Sequence, residues 1–315
     1  MPAADFRIHD NQLPRTTIAD GISIRSDVLC TNEKGGNKDS IQKRSGKILQ
    51  KLQPGLKRML RPGETVLYAM RARSPLSTLE QLTAASWTAL LAACGVVVTN
   101  TRILFFPVER DGSWKESVRA LYWGDLREIK KKGLLGNNFT FKFKNSAKVT
   151  YTNFRRGDAK KLTAIASALI PAASGEQTAA QGLVQLCPDC CNALTQGQYS
   201  CSTCGLTFKN EKTMILRSIF LPGGGYFYTG HPFIAILPAI VEGLLLLEIL
   251  FIMFGRLASP KPVPNLLPEL IGLGIFWALE TGVTILHCRR YVRDFIPEKR
   301  DIARVPQNAI PKIGG

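Results

Sequence analysis

The chain has 315 residues, 45% of them hydrophobic, and its 41 Lys and Arg outnumber 24 Asp and Glu to leave a formal net charge of +17. That length has room for two or three modest units rather than one core. The three histidines, His9, His231 and His287, belong to no H-E-x-x-H or nucleophile-base arrangement, so no residue set for catalysis presents itself and a non-enzymatic protein is expected.

Charge is concentrated rather than spread. Residues 46–174 hold 22 Lys and Arg against 8 Asp and Glu, whereas 175–215 hold 2 against 3. A basic domain is drawn to anionic headgroups and to nucleic acid by the same force, and sign alone does not choose between them. Residues 1–45 mix Asp, Asn, Lys, Gly and Thr without sustained periodicity and read as a disordered tail, with Cys30 incidental. They hold no apolar h-region, so no secretory signal is expected.

From residue 54 onward, short apolar stretches alternate with turns. RPGETVLYAMRAR opens with a Pro-Gly turn and a strand, GVVVTNTRILFF holds two strands about a Thr-Asn turn, VRALYW and LREIKKK follow, and NFTFKFKNSAKVTYTNF reads as a hairpin. Phe139, Phe141 and Phe143 alternate with Thr140, Lys142 and Lys144, which sends one face to a core and the other to water. GDAKKLTAIASALI then predicts a helix capped by Asp158, with Leu162, Ile165, Ala166 and Leu169 on one face. Many strands before one amphipathic helix predict a small β-barrel or sandwich closed by its C-terminal helix.

The PGE opening, the TN.R hairpin and the late GDAKKL helix resemble the bacterial pleckstrin-homology and GRAM-like domains over about residues 54–171. The resemblance implies a strongly bent sheet closed at one end by the helix, with loops that bind phospholipid headgroups or proteins. This chain departs by inserting SPLSTLEQLTAASWTALLAAC between the first strand and the Thr-Asn hairpin, which reads as an additional helix. Arg71, Arg73, Lys130, Lys131, Lys132, Lys142, Lys144 and Lys148 are the candidates for an anionic-lipid or partner surface; the alternative is an ordinary solvated sheet face.

Residues 172–186 are small and polar and read as a flexible linker. A zinc ribbon at 187–210 follows from CPDC and CSTC. Each C-x-x-C turn brings two thiolates to one face of a tetrahedral Zn²⁺, and ten residues later the second pair meets the opposite face. Cys187, Cys190, Cys201 and Cys204 fill all four positions, which points to a structural metal rather than a catalytic one. A redox dithiol or disulfide pair is the competing reading, and Cys191 in CPDCC competes as a ligand of the first knuckle. Reduced thiols place the ribbon in the cytosol.

The membrane module is expected at 214–290. Stretches 231–254 and 266–288 are each long enough to cross a ~30 Å hydrocarbon layer as helices. Arg289, Arg290 and Arg293 follow the second, and Lys209, Lys212 and Arg217 precede the first, while the connecting loop holds Arg256 and Lys261; the balance puts both termini, including the 291–315 tail, in the cytosol. LRSIFLPGGGYFYTGHP resembles a Pro-Gly-x-Gly-x-Phe-Tyr-x-Gly signature of small two-helix bacterial membrane modules. Its glycines would permit a sharp re-entrant turn, with Tyr226, Phe227 and Tyr228 at headgroup depth.

Within the spans, Ala235, Ala239 and Gly243, and Gly274, Ala278 and Gly282, form small-residue stripes suited to close helix packing. The acids Glu242, Glu248, Glu269 and Glu280 are costly in lipid. Glu242 with Glu280, and Glu248 with Glu269, fall at matching depths of an antiparallel hairpin, so they are expected as neutral acids hydrogen-bonded across it or between copies of an oligomer.

The expected molecule is therefore multidomain: a PH-like β-barrel or sandwich with a C-terminal helix, a zinc ribbon and an α-helical transmembrane hairpin. Its expected role is a membrane-anchored adaptor contacting anionic lipid or a protein partner. A membrane-tethered nucleic-acid binder and an oligomeric proton or cation pathway are the alternatives.

Overall fold

The computed structural model describes residues 16–19, 21–32, 35, 36, 39–78, 80, 92–132, 138–173, 181–258 and 266–298. They form two compact units, one of the described residues up to Ser77 and from 92 to Leu206, the other of Thr78, Glu80 and the described part of Thr207–Glu298.

The first unit begins with β1 (Thr16–Ala19), β2 (Ile22–Arg25), α1 (Ser26–Leu29) and α2 (Asp39–Met59). An antiparallel meander of β3 (Val66–Arg73), β4 (Ala93–Thr99), β5 (Arg102–Pro107) and β6 (Val118–Tyr122) follows. After a 3₁₀ turn at Trp123–Asp125 come β7 (Leu126–Lys132), β8 (Asn138–Phe143), β9 (Lys148–Tyr151), α3 (Arg156–Ala172), β10 (Val184–Leu186) and β11 (Ala193–Leu194). One sheet runs β1-β2-β3-β4-β5-β6-β10-β11 and the other β7-β8-β9. Arg73 and Thr152 exchange backbone hydrogen bonds of 2.8 and 2.9 Å, joining the end of β3 to the chain leaving β9.

The unbroken apolar run of β4 and β5 is explained by cover on both faces: every residue of β5, and of β4 after Ala93, is buried. Phe105 stacks on Tyr151 with ring centroids 4.0 Å apart and meets Phe141 edge-on at 5.8 Å, so it faces the β7-β8-β9 sheet. Phe106, its neighbour in the strand, points the other way and meets Trp114 at 5.9 Å. On that side lies α2, packed so tightly that a Cβ on Gly55 would sit 2.9 Å from the Trp114 ring and one on Gly95 2.7 Å from Leu52.

Among the described residues of 16–45, β1, β2, α1 and α2 stand where a disordered tail was expected, and α2 begins well before residue 54, where the domain was expected to start. Ile48, Leu49, Leu52, Leu56 and Met59 recur at helical spacing and are buried. Gly46 and Pro54 interrupt that pattern in the sequence, yet both lie inside the helix. Ile22, Ile24 and Leu29 join the same core.

Asp158 does not cap α3. The residue before that helix, Arg155, makes no side-chain cap bond. Asp158 is instead buried in the first turn, where it accepts the Tyr68 hydroxyl at 2.8 Å and pairs with Arg44 of α2. Burial keeps its carboxyl above the usual range in spite of both partners.

The PGE and TN.R motifs meet in one buried network. Glu64 Oε1 accepts from Thr99 Oγ1 at 2.7 Å, Thr101 Oγ1 at 3.0 Å and Arg102 Nε at 2.9 Å. Its Oε2 accepts from Arg102 Nη2 at 2.8 Å and the Arg61 backbone N–H at 3.0 Å. Asn100 Oδ1 accepts the Thr65 N–H at 2.9 Å, latching the Thr-Asn turn to the strand that follows PGE. Burial alone would raise Glu64, but the Arg102 guanidinium outweighs it and holds the carboxyl below its ordinary range.

The expected 172–186 linker ends in structure, because β10 pairs antiparallel with β6 and Gln185 Nε2 donates to Ser117 Oγ at 2.9 Å. Residues 174–180 of that segment lie outside the described residues, as do 79 and 81–91, where the inserted helix was expected.

The second unit comprises α4 (Glu211–Phe220), α5 (Gly224–Thr229), α6 (Pro232–Ala258) and α7 (Leu266–Arg293). Two helical stretches, Pro232–Phe254 and Leu270–Arg293, are long and apolar enough to cross a membrane, with mean hydropathies of 2.4 and 1.5. The module's two ends are clamped together. Lys209 N–H donates to Ile296 O at 3.0 Å, Glu298 N–H to Thr207 O at 3.1 Å, and Phe208 meets Phe295 edge-on at 5.5 Å.

Candidate functional site

The four expected cysteines converge. The Sγ atoms of Cys187, Cys190, Cys201 and Cys204 all lie within 4.8 Å of one another, with Cys187–Cys204 at 3.6 Å and Cys190–Cys201 at 3.5 Å. Four thiolates around Zn²⁺ at ~2.3 Å would be about 3.8 Å apart, so the cluster has the size a tetrahedral ion needs.

The knuckles repeat each other. Cys191 N–H donates to Cys187 O at 3.0 Å and Cys187 N–H to Asn192 O at 2.8 Å; Gly205 N–H donates to Cys201 O at 2.9 Å and Cys201 N–H to Leu206 O at 2.8 Å. Burial opposes a thiolate at Cys201, but the N–H groups of Cys204 and Thr203, with the Cys190 and Cys204 thiols, lower it to about 6. Burial pushes Cys187 up. A cation would offset the desolvation that keeps such thiols from ionising together.

Cys191 stands where the second knuckle has Gly205. Both are left-handed, at φ 61° and 76°. Its thiol turns out of the cluster and donates to Arg58 O at 3.0 Å, so it does not compete as a ligand.

The basic candidates divide. Lys130 pairs with Thr140, Lys132 with Asn138 and Lys142 with Lys148, so these four lysines share one face of β7-β8-β9, opposite the Ile129, Phe141 and Val149 row. Glu128 joins them, its Oε1 2.8 Å from Lys142 Nζ and 3.4 Å from Lys130 Nζ. Lys144 follows the end of β8, while Lys131, opposite Phe139, alternates to the other face at the strand's exposed end. Arg71 and Arg73 lie on β3 in the other sheet. Arg71 Nη2 lies 2.8 Å from the point a Gly112 Cβ would occupy, which places that guanidinium at the 109–113 loop.

In the helical unit, Glu242 is buried and its Oε2 accepts the Gly223 backbone N–H at 2.7 Å. No hydrogen bond joins it to Glu280 among the described residues, so the expected pairing across the hairpin is replaced by a bond to the glycine turn. The physical reason is local: Gly223 has φ +65° and meets Ala235 and Ala239 closely enough to bring its N–H to the helix turn that carries Glu242. Glu280 is half-buried, Glu248 is exposed, and the Glu269 side chain lies outside the described residues.

Of the α6 stripe, Ala235 and Ala239 thus receive the turn, while a Cβ on Gly243 would meet nothing within 4 Å. The α7 stripe of Gly274, Ala278 and Gly282 is exposed, with nothing within 4 Å of a Cβ on either glycine. Two of the three expected interfacial aromatics face inward. Tyr226 is buried and its hydroxyl lies 2.6 Å from His287 Nδ1, and Tyr228 accepts the Asn210 N–H at 3.0 Å beneath Arg217, 4.9 Å from the ring centroid. Phe227 alone of the three is exposed. No sequence motif marked Thr281, whose buried hydroxyl, like Glu242 Oε1, finds no hydrogen-bond partner among the described residues.

Comparison with known proteins bears on the sheet unit. Residues 60–167 match the family model described as a bacterial PH domain. The PH-like match covers the β3–β9 sheets and most of α3. No curated protein matches the chain. The crystal structure of the C-terminal domain of an unknown protein from Leishmania infantum aligns with 42% of this chain and 97% of its own at 12% identity, with a TM-score of 0.25, too low to bear on fold or function.

Proposed function

We propose that the protein is a membrane-anchored, non-enzymatic adaptor whose PH-like unit presents the Lys130, Lys132, Lys142 and Lys148 face to anionic lipid headgroups. The observation that carries this reading is the cross-strand alignment of those four lysines in a chain that also has two exposed apolar helices. Each well-placed Lys near an anionic surface is worth about 1 kcal/mol at moderate salt.

In this reading α6 and α7 cross the bilayer as a hairpin. The backbone clamp at 207–209 and 296–298 supports both ends of the module lying on one side, and the flanking cations make that side the cytosol. Cys187, Cys190, Cys201 and Cys204 hold a structural Zn²⁺ that stabilises a ribbon too small to bury a core of its own.

The test uses the full chain in nanodiscs of neutral lipid, mixed with separate anionic or neutral vesicles and floated at low and high salt. Capture by anionic vesicles, weakened by salt and by Lys142→Glu with Lys148→Glu, is the expected result. Absence of capture at low salt would replace the lipid with a protein partner and reduce the lysines to a solvated face.

A further inference from the structure

The Glu242 contact raises a question of depth. Glu242 is the eleventh of the 23 residues in Pro232–Phe254. At ~1.5 Å per residue it lies about 15 Å along the helix, half of a ~30 Å hydrocarbon layer. The Gly223 N–H that it accepts must therefore lie at mid-depth too. Backbone in hydrocarbon is tolerated only where its polar groups are satisfied by the protein, and a carboxyl on a spanning helix supplies such an acceptor.

The chain leading to that turn changes character along its length. α4 is capped by Asn210, whose side chain accepts the Thr213 N–H at 2.8 Å, and opens with Glu211 and Lys212. It ends in Ile219 and Phe220, with Leu221 just after it; these are 42%, 72% and 55% exposed, while Met214 and Ser218 are buried. With Leu216, these form an outward apolar face continuous in sequence with the turn. In water such a face is unfavourable; a helix polar at its start and apolar at its end, save Arg217, whose guanidinium lies 4.9 Å from the Tyr228 ring centroid, fits one that descends from an interface into acyl chains.

Return is made possible by glycine. A Cβ on Gly224 would lie 2.1 Å from Arg217 O, and one on Gly225 2.2 Å from Ser218 Oγ, so α5 runs back against α4 at a spacing that no larger residue permits.

We propose that α4 and α5 form a re-entrant hairpin that enters the bilayer from the side of the module's clamped ends. Leu216, Ile219, Phe220 and Leu221 meet lipid acyl chains, and the Gly223 turn lies at mid-depth under the Glu242 carboxyl. This rests on the reading of α6 and α7 as spans.

The test places the photo-crosslinker p-benzoylphenylalanine singly at Phe220, at Phe251 on the outer face of α6, and at Tyr199 in the ribbon, in the full chain reconstituted in phospholipid vesicles. Phospholipid adducts at Phe220 and Phe251, mapped to acyl carbons, and none at Tyr199 are expected. Adducts at Phe251 alone would overturn the hairpin and leave the spans standing; adducts at neither would remove the spans themselves. Crosslinking of Phe220 to a second copy or another protein would overturn lipid as the occupant. Thermal unfolding supplies a second readout. Glu242→Gln, which keeps an acceptor for Gly223, is expected to melt near the parent and Glu242→Ala clearly below it, whereas equal midpoints for Ala and parent would overturn the cap.

Discussion

Two buried glutamates sit beside Pro-Gly turns, one in each unit, and they are satisfied in opposite ways. Glu64, two residues after Pro62, takes hydrogen bonds from Arg102, Thr99, Thr101 and the Arg61 N–H. Glu242 takes one bond from the turn at Gly223, and its other oxygen has no partner among the described residues. The first is an ion pair closed on itself inside a protein core. The second has one backbone donor and no cation among the described residues, the arrangement of a carboxyl that serves as a backbone acceptor. Under the proposed reading of α6 as a span, the contrast is one of solvent: an acid in a protein core keeps its charge beside a cation, and one in lipid serves as a neutral acceptor.

The strongest way to break this comparison is to remove the cation. Arg102→Met leaves Glu64 buried with two hydroxyls and the Arg61 N–H but no cation, and is expected to cost about 3–5 kcal/mol, read by denaturant unfolding of the sheet unit's near-ultraviolet signal. Glu242→Ala strands the Gly223 N–H and is expected to cost about 1–3 kcal/mol. An infrared difference spectrum between parent and Glu242→Gln sharpens the same contrast. Loss of a carboxylic-acid C=O band is expected, and loss of a carboxylate band instead would place a charge there.

The pH dependence has a definite sign. Glu64 is held below its unfolded value, so its contribution is full above that value, about 4.3, and is lost as pH falls through the lower folded one. The sheet unit should therefore lose stability on acidification, with a shallower loss in Glu64→Gln. Smallest in effect is Cys191→Gly, which removes a left-handed non-glycine residue and leaves zinc stoichiometry unchanged; Cys201→Ser should reduce bound zinc. Metal content of the purified variants distinguishes the two, and loss of zinc in Cys191→Gly would return Cys191 to the ligand set.

What was legible in the sequence was what depends on spacing. The C-x-x-C pairs fix thiol positions through a local turn, so the tetrad could be read without tertiary knowledge. The alternation of Phe139, Phe141 and Phe143 likewise identified the inward face of β8, because strand geometry has a period of two. α2 was missed because Gly46 and Pro54 weigh against a helix locally, whereas burial of Leu52 over Gly95 and of Leu56 decides in its favour only once the sheet exists. Asp158 looked like a cap for the same reason. Its partners, Tyr68 and Arg44, are 90 and 114 residues away.

The glutamates show where depth alone falls short. Matching Glu242 to Glu280 by helical rise could not register a third segment folding back onto Ala235 and Ala239. PGGG was the signal: three successive glycines permit an approach no side chain allows.

The most direct test of the central proposal is hydrogen exchange of the full chain in nanodiscs of anionic against neutral lipid. Slower exchange over 127–132 and 142–150 in anionic discs, reversed by salt and by Lys142→Glu with Lys148→Glu, is the expected result. Equal exchange in the two lipids at low salt would contradict a lysine face that binds the membrane.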